Sequence, residues 1–336
     1  MTVRVLSVVG KGYYGSNVVE PMYLYFTLPL RALGHEVETF DHCALHRALG
    51  KEQCTAKLVR QIRTGSYDLV LYQTTGNEHV ETEALQDIAK NTCIVAWNSD
   101  DDWQWDLTSR HAAHFTFMIT TYPHIYEQHR SKYPNLLLSQ WGCLDVYGNR
   151  QQRKDIAFSF AGAVYGARNT SCRFLRRTAG LVCFGRGSRL VCLGLPYFRG
   201  AFKLPWLSGA PIGFKEINDI WNRTRVSYSP MGGGPRGEVL SLKSRTFDMG
   251  LSGTLMLCEH SPNLDRYYEP GVECITFDSL GDCAEKAQWY LAHETERARI
   301  ASNYRNRTLK EHLWTHRFAK LLSDCGLGCH SVGATR

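Results

Sequence analysis

Two short stretches of this sequence carry residues that bind anions or exchange protons. In the second half, Lys243 and Arg245 precede Asp248 within one predicted helix. Basic side chains near a helix N-terminus suit a diphosphate, because free N–H groups and the helix dipole favour negative charge there. An acidic side chain one turn later suits the hydroxyls of a ribose. An ordinary amphipathic helix with solvated basic residues would show the same spacing.

The second stretch is acidic. Asp100, Asp101 and Asp102 directly follow a predicted buried strand, Thr92–Trp97. In open α/β sheets, ligands lie beyond the carboxyl ends of the strands. A carboxylate there could act as general base toward an acceptor hydroxyl, and Trp103 suits stacking on a sugar or a base. An acidic surface turn is the alternative.

The elements that must position these residues alternate between strand and helix. This alternation predicts a parallel sheet with right-handed crossovers, and therefore an α/β fold. Ala44–Gly65 and Thr82–Lys90 are each predicted as one helix. The predicted strands of the first half are Val3–Val9, His35–Asp41, Tyr67–Gln73, Thr92–Trp97 and Phe115–Thr121.

Two further features of the first half lie at strand ends. A glycine-rich turn containing Gly12, Tyr13 and Tyr14 follows the first strand, but it does not match the dinucleotide-binding G-x-G-x-x-G pattern. A simple tight turn would explain it as well. His124 follows the fifth strand on a helix, where it could act as a base or be a solvated histidine.

A polar stretch after Tyr147 predicts a domain boundary, with a first domain over 1–148 and a second over 149–310. The second sheet begins with the strand Asp155–Phe160. A loop containing Gly162 and Tyr165 leads to Arg168 at the start of a helix. The backbone of such a loop can approach a diphosphate, and the arginine can neutralise it.

A longer pattern runs from Lys243 to Phe318. It consists of R-T-F-D-M-G-L-S-G-T-L-M-L-C-E, then L-D-R-Y-Y-E-P-G-V-E, then a helix around Ala284–His293, then E-R-A-R-I-A. This order resembles the C-terminal domain of spore-maturation-protein-B-like glycosyltransferases. They belong to the GT-B group, which uses nucleotide-sugar donors. The resemblance implies two Rossmann-like domains facing across a cleft, with the helix 311–324 packing back on the first domain and a tail over 325–336.

The resemblance also implies roles for individual residues. Asp248 stands where the family usually has glutamate in an R-x-F-E arrangement, and that acid is expected to bind the donor ribose. Asp is one methylene shorter, which makes the contact less certain in this chain. From their positions in the chain, Glu259 and Glu273 are expected to line one face and orient donor hydroxyls, with a structural role for Glu273 as an equal alternative. The predicted donor-binding residues are Gly162, Tyr165, Arg168, Gly185, Lys243, Arg245, Phe247, Asp248, Glu259 and Glu273.

In the first domain, the resemblance places Gly12, Tyr13 and Tyr14 on the acceptor side. Trp103 and His124 are predicted as acceptor-side residues from their positions after strands. The Asp100-x-Asp102 pattern also matches a metal-binding motif of the other glycosyltransferase fold, GT-A. That motif is very weak, and GT-B enzymes usually need no metal. No metal and no tightly bound cofactor are therefore expected, and a UDP-sugar is the expected co-substrate.

Charge is unevenly distributed along the chain. The formal net charge is +7, and residues 150–250 hold 17 Lys and Arg against 5 Asp and Glu. A basic segment of this kind fits an anionic partner such as a nucleotide diphosphate, a nucleic acid or an acidic polymer. DNA is accordingly one candidate acceptor, since glycosyltransferases that modify hydroxymethylated bases in phage DNA share the GT-B fold.

Composition places the chain among globular proteins, with 43% apolar and 21% charged residues. No run of about 18 apolar residues suggests a membrane span. The 12 cysteines include no C-x-x-C pair, and several lie in apolar strand-like runs. This pattern predicts reduced thiols and a cytoplasmic location.

The sequence therefore predicts a glycosyltransferase that moves a sugar from a nucleotide-sugar donor to a hydroxyl acceptor. The acceptor alternatives are DNA with hydroxymethylated bases, a protein, a glycan or a small molecule. A nucleotide- or nucleic-acid-binding module without turnover is the alternative from another class, and the Asp248 departure from the family pattern gives it some weight.

Overall fold

A computed structural model describes residues 2–12, 18–147, 152–198, 200–233 and 239–328 of the chain. The chain divides into two compact units. The N-terminal unit comprises residues 1–141 and 314–336, and the C-terminal unit comprises residues 142–313. Each unit is built around one parallel sheet with helices between its strands. The predicted α/β class is therefore confirmed.

The N-terminal unit contains a six-stranded sheet with the order β2-β1-β3-β4-β5-β6. All of its strand pairs are parallel. The strands are Arg4–Val8 (β1), Glu36–Phe40 (β2), Leu69–Gln73 (β3), Cys93–Trp97 (β4), Phe117–Thr120 (β5) and Leu136–Leu138 (β6). The α-helices are Pro21–Ala32 (α1), His42–Leu49 (α2), Lys51–Gly65 (α3), Asp101–Thr108 (α4), Pro123–His129 (α5) and Trp314–Asp324, the last helix of the chain.

The C-terminal unit contains a five-stranded parallel sheet. A two-stranded antiparallel pair lies in the sequence between the third and fourth of its strands. Its strands are Ile156–Ala161 (β7), Val182–Phe184 (β8), Thr224–Ser229 (β9), Gly232–Gly233 (β10), Val239–Leu240 (β11), Leu255–Glu259 (β12) and Ile275–Phe277 (β13). The sheet order is β13-β12-β9-β7-β8. The α-helices are Gly166–Ala179 (α6), Ser188–Cys192 (α7), Pro205–Ser208 (α8), Phe214–Arg223 (α9), Arg245–Asp248 (α10), Leu280–Ala292 (α11) and Glu294–Glu311 (α12). Trp314–Asp324 is accordingly α13.

The central strands are apolar on both faces, as expected for parallel strands covered by helices on both sides. In the N-terminal unit, β3 and β4 read LVLYQ and CIVAW and are almost entirely buried. The ring of Trp314 on α13 lies 5.3 Å from that of Trp97 at the end of β4. The last helix thus completes the core of the N-terminal unit. In the C-terminal unit, Phe158, Phe160 and Tyr228 belong to the corresponding core.

Two helix predictions in the N-terminal unit are wrong in their extent. The helix predicted over Ala44–Gly65 is divided into α2 and α3 at Gly50, which has a φ of +80° that interrupts regular helix geometry. The helix predicted over Thr82–Lys90 consists of two short 3-10 turns, Thr82–Leu85 and Ile88–Lys90. Within the described part of the chain, the helices lack the combination of length and apolarity that crossing a membrane requires.

Candidate functional site

The loops that follow β7 and β8 are packed backbone against backbone. The N–H of Gly162 donates to the carbonyl of Phe184 at 3.0 Å, and the N–H of Val164 donates to the carbonyl of Arg186 at 2.7 Å. A Cβ atom at Gly185 would lie 2.7 Å from the oxygen of Gly162. Both glycines also have positive φ, 142° and 102°. Glycine is therefore required at both positions for the two loops to meet at the carboxyl edge of the sheet.

Arg168 and Arg245 converge on one aromatic ring above these loops. The guanidinium carbons of Arg168 and Arg245 lie 5.7 and 5.1 Å from the centroid of Phe160. Arg168 also lies over Tyr165, at 4.9 Å, and donates from Nη1 to the carbonyl of Ala163 at 2.8 Å. Aromatic faces stabilise cations, which helps to hold two like charges in one place.

The guanidinium group of Arg245 has no compensating anion among the residues that the structure describes. Burial, and next the charge of Arg168, lowers the pKa of Arg245 to about 9, so the group remains cationic at neutral pH. Among the described residues, no carboxylate forms an ion pair with Arg168 or Arg245, and the buried Nη1 of Arg245 has no hydrogen-bond partner. An uncompensated, partly buried pair of cations is the arrangement expected where an anionic ligand binds.

The neighbouring helix α6 strengthens this anion-binding character. Its first turn contains no acidic residue, and no side chain caps its N-terminus at Tyr165. Arg168 lies in this first turn, so its charge adds to the positive end of the 14-residue helix. The predicted loop, arginine and helix N-terminus are thus found together at the carboxyl end of β7.

The stretch from Lys243 to Asp248 forms only a single helical turn. Its length excludes a strong helix dipole, so Lys243 and Arg245 can contribute only through their side-chain charges. Lys243 donates to the hydroxyl of Ser241. Asp248 is 4% exposed, and its backbone carbonyl accepts from the Sγ of Cys143 at 3.2 Å.

Phe247 is fully buried in an aromatic cluster. Its ring lies 5.5 Å from that of Tyr267, 5.7 Å from Tyr268 and 5.6 Å from His312. The hydroxyl of Tyr304 donates to the carbonyl of Thr246 in the same turn. Phe247 therefore anchors α10 in the core of the C-terminal unit, while Arg245 on the same turn extends toward the loops.

The two predicted glutamates lie at different ends of adjacent strands. Glu259 ends β12 and accepts from the N–H of Met231 at 2.7 Å. Because Ile275 pairs with Leu257 in parallel register, Glu273 precedes the amino end of β13. There its Oε2 accepts from the N–H of Glu269 at 2.9 Å and closes a turn. The two side chains therefore do not line one face as predicted, since only Glu259 lies at the carboxyl edge.

In the N-terminal unit, the three aspartates at the end of β4 differ in exposure. Asp100 is exposed, Asp102 is half-buried, and Asp101 is fully buried. The hydroxyl of Thr108 donates to Asp101 at 2.7 Å. Burial raises the pKa of Asp101 to about 6, although hydrogen bonds from Thr108, Thr120 and Asn98 lower it in part. Asp101 is thus a buried anchor for α4.

Other predicted acceptor-side residues lie at the same edge. Trp103 is 45% exposed on the first turn of α4, and His124 is exposed on the first turn of α5. The hydroxyl of Tyr122 donates to the carbonyl of Ser99 at 3.0 Å and connects the loops after β4 and β5. Gly12 forms an isolated bridge with Val19. Tyr13 and Tyr14 lie outside the described residues.

Sequence reasoning missed a group of titratable residues at this edge. His42 follows β2, and its Nδ1 lies 3.2 Å from the Nδ1 of His79, which follows β3. Burial, then the charges of His79 and His46, lowers the pKa of His42 to about 3, so this imidazole is neutral. Burial also raises the pKa of Glu20, in the loop after β1, to about 7. The available signal was the position of His42, directly after the predicted strand His35–Asp41.

The cysteines of the described chain form no disulfides. Most of them are buried, and burial raises the pKa of the Cys43 thiol to about 11, assisted by Asp41 and Glu20. The reduced state of the thiols remains a prediction from their spacing.

Comparisons with known proteins point to one enzyme class. Residues 168–323, a little under half of the chain, match the family model Glyco_trans_1_2, described as glycosyl transferase-like. The match includes Arg168, Arg245 and Asp248. Among curated proteins, none matches the sequence significantly.

Several solved structures share the fold along almost the whole chain. A glycosyltransferase from Rickettsia africae ESF-5 has a TM-score of 0.64 and 10% identity, covering 96% of this chain and 98% of that one. Alr3699/HepE from Anabaena, in complex with UDP and glucose, has a TM-score of 0.60 and 13% identity over 96% and 100%. An alpha-glucosyltransferase in complex with UDP and a 13-mer DNA containing an HMU base has a TM-score of 0.64 and 12% identity over 97% and 99%.

At these identities the structural similarity establishes the fold, which is that of GT-B glycosyltransferases, as predicted. The family match over residues 168–323 supports the predicted enzyme class, a glycosyltransferase. The matched segment contains the paired arginines and the helical turn that carries Asp248.

Proposed function

We propose that this protein transfers a sugar from a UDP-sugar to a hydroxyl acceptor, with the donor bound by the C-terminal unit. The observation that carries the proposal is the pair of guanidinium groups on Phe160, Arg168 and Arg245, for which the described residues provide no carboxylate partner. A diphosphate would supply the missing negative charge. The UDP complexes of structurally similar proteins support uridine as the nucleoside.

In this proposal the two arginines stabilise the leaving nucleoside diphosphate. Negative charge grows on the β-phosphate as the glycosidic bond breaks, and cations already in place lower the energy of that transition state. Because Gly162 and Gly185 lack side chains, the backbone of the two close loops can approach the phosphates. Lys243 adds a further cation, and Asp248 binds ribose hydroxyls from the same helical turn.

The other predicted donor residues take supporting roles. Tyr165 lies beside Arg168, and Glu259 at the carboxyl end of β12 orients donor hydroxyls. Phe247 and Glu273 contribute by holding α10 and the turn before β13. The finer family assignment, to the spore-maturation-protein-B-like group, is proposed on the order of sequence motifs between Lys243 and Phe318.

For the acceptor, we propose that Asp100 or Asp102 acts as general base and that Trp103 stacks on the acceptor. At the carboxyl edge of the sheet Asp100 is exposed and Asp102 is half-buried, whereas Asp101 is buried and bonded to Thr108. His124 is the alternative base. Because Asp101 is less exposed than Asp100 and Asp102, we assign it a positioning role.

DNA with hydroxymethylated bases is the proposed acceptor. Two observations favour it. The segment 150–250 is strongly basic, and it exposes large aromatic side chains, Phe198 at 42% and Trp206 at 69%. Base stacking on aromatic rings within a basic surface is typical of single-stranded or flipped-base recognition. A structurally similar enzyme was solved with DNA.

The test is a panel of UDP-, GDP-, ADP- and TDP-sugars, scored by thermal shift and nucleotide release, with and without DNA containing hydroxymethyl-pyrimidine. Release from a UDP-sugar that is stimulated by the modified DNA, and not by unmodified DNA, is expected. Nucleotide release that is the same with and without DNA would indicate that the acceptor is a protein, a glycan or a small molecule. Binding of DNA without nucleotide release would favour a module without turnover.

A further inference from the structure

Three residues with metal-ligating side chains lie together in the N-terminal unit, away from the candidate acceptor residues. Glu83 lies on the 3-10 turn Thr82–Leu85, between β3 and β4. His111 and His114 lie on the 3-10 turn Ser109–His114, between α4 and β5. One ligand atom from each of the three lies within 4.8 Å of the other two.

This group lies near the amino end of β5, because β5 begins at Phe117, three residues after His114. Asp100 and Asp102 lie at the carboxyl end of β4, which runs parallel to β5. The two groups therefore occupy opposite edges of the same sheet. A ligand bound at Glu83, His111 and His114 would have no direct contact with an acceptor at the carboxyl edge.

A buried hydroxyl fixes the orientation of both histidines. The Oγ1 of Thr82 lies 2.8 Å from the Nδ1 of His111 and 2.9 Å from the Nδ1 of His114. A hydroxyl oxygen has two lone pairs and can accept from both rings. In the tautomer in which both Nδ1 atoms donate to Thr82, each Nε2 keeps its lone pair for a ligand. Histidines that bind metals are commonly held in this way, by donation of the other ring N–H to a polar group.

We propose that Glu83, His111 and His114 form a binding site for a divalent transition-metal ion of the zinc type. Two imidazoles and one carboxylate are ligands that Zn²⁺ accepts in proteins, and imidazole favours Zn²⁺, Ni²⁺ and Cu²⁺ over Mg²⁺ and Ca²⁺. Ligand atoms about 2.0–2.1 Å from a tetrahedral ion are roughly 3.3 Å apart. The three side chains must therefore approach one another slightly.

That approach is available to these side chains. Glu83 is exposed, and both histidines are half-buried, so none is locked in a packed core. Thr82 is 1% exposed and provides the rigid point behind them. A bound ion would link the segment between β3 and β4 to the segment between β4 and β5. Because the unfolded chain does not hold these residues together, binding would stabilise the folded state.

The test uses the full chain, titrated with ZnCl₂ and separately with MgCl₂ by isothermal calorimetry and thermal shift. One zinc ion per chain is expected, with a rise in Tm, and no effect of magnesium. Replacing both histidines, His111→Ala with His114→Ala, is expected to abolish this binding. His316→Ala is the matched control, because His316 is an exposed histidine of the same unit.

Two single variants keep the test decisive if the double variant folds poorly. Glu83→Gln changes an exposed residue and is expected to weaken zinc binding at least tenfold. Thr82→Val keeps all three ligands but removes the orienting hydroxyl, so a loss of about tenfold is expected. A purely structural role of Thr82 would lower the Tm without changing the zinc affinity.

The competing location is the group of His42, Cys43 and His79, whose ligand atoms also lie within 4.8 Å of one another. Zinc binding that survives the double variant at His111 and His114 but disappears in His79→Ala would overturn the proposal. Absence of zinc binding to the wild-type chain would overturn it as well.

Discussion

Arg168 and Arg245 share one aromatic ring, with their guanidinium carbons 5.7 and 5.1 Å from the centroid of Phe160. They come from different parts of the chain, the first turn of α6 and the first residue of α10. Burial, and next the charge of Arg168, lowers the pKa of Arg245, so holding this guanidinium charged carries an electrostatic cost. A structure retains such a pair most readily where an anion binds between or beside the two groups.

Replacing Asp248 tests the ribose contact. We expect Asp248→Asn to weaken UDP-sugar binding by roughly 10- to 150-fold, because a hydrogen bond to a charged group contributes about 1.5–3 kcal/mol. Asn keeps the size of the buried side chain, so the melting temperature should change little. Isothermal calorimetry with the sugar nucleotide measures the effect. DNA binding should be unchanged, and equal loss of nucleotide and DNA binding would argue against a specific ribose contact.

Two glycines of the C-terminal unit form a matched pair for testing the close loops. Both have positive φ, but a Cβ at Gly187 would lie 2.0 Å from the carbonyl oxygen of Val164, whereas a Cβ at Gly194 meets nothing within 4 Å. We expect Gly187→Ala to be less stable than Gly194→Ala by about 1–3 kcal/mol, owing to steric overlap. Chemical denaturation measures both. Equal stabilities would show that the loops after β7 and β8 are not in close contact.

Asp101 gives a prediction for pH dependence. Its pKa in the folded chain is about 6, above the unfolded value near 3.9, so the folded state binds more protons between these two pH values. Its contribution to stability is therefore present at low pH and is lost as the pH rises toward 6 and above. Between pH 4 and pH 7.5, the unfolding free energy of Asp101→Asn should improve relative to wild type by up to about 3 kcal/mol. If the difference in unfolding free energy between Asp101→Asn and wild type does not vary with pH, the pKa of Asp101 is not raised by burial.

Salt dependence separates a DNA acceptor from a small one. If the basic segment 150–250 neutralises DNA phosphates, the logarithm of DNA affinity should fall linearly with the logarithm of salt concentration, by roughly 0.7–0.9 per phosphate contacted. Fluorescence anisotropy with hydroxymethylated oligonucleotides measures the slope. Trp206→Ala should weaken DNA binding without changing that slope, since stacking releases no counterions. A slope near zero would exclude DNA as the acceptor.

The order of β7, the glycine loop and Arg168 could be placed from the sequence alone. The buried strand β7, the glycine loop and Arg168 are consecutive, so their meeting at the carboxyl edge follows from the chain order. The break at Gly50 and the single-turn length of α10 depend on backbone angles that apolar periodicity does not reveal. Glycine at the first of these positions was a usable signal that the helix prediction over Ala44–Gly65 did not weigh.

Other relationships were beyond sequence reasoning because they depend on tertiary packing. The approach of Arg245 to Phe160 joins α10 to β7, more than eighty residues earlier in the sequence. The strand register that separates Glu273 from Glu259 is a property of the β12–β13 pairing. Likewise, His42 and His79 meet only because β2 and β3 flank β1 in the sheet.

The most direct test of the donor site compares UDP with UMP by isothermal calorimetry, in wild type and in Arg245→Ala. Arg177→Ala is the matched control, because Arg177 is an exposed arginine on α6. If the arginine pair binds the diphosphate, UDP should bind wild type and Arg177→Ala at least tenfold more tightly than UMP. That preference should disappear in Arg245→Ala. Equal affinities of wild type for UDP and UMP, or an unchanged preference in Arg245→Ala, would contradict the account.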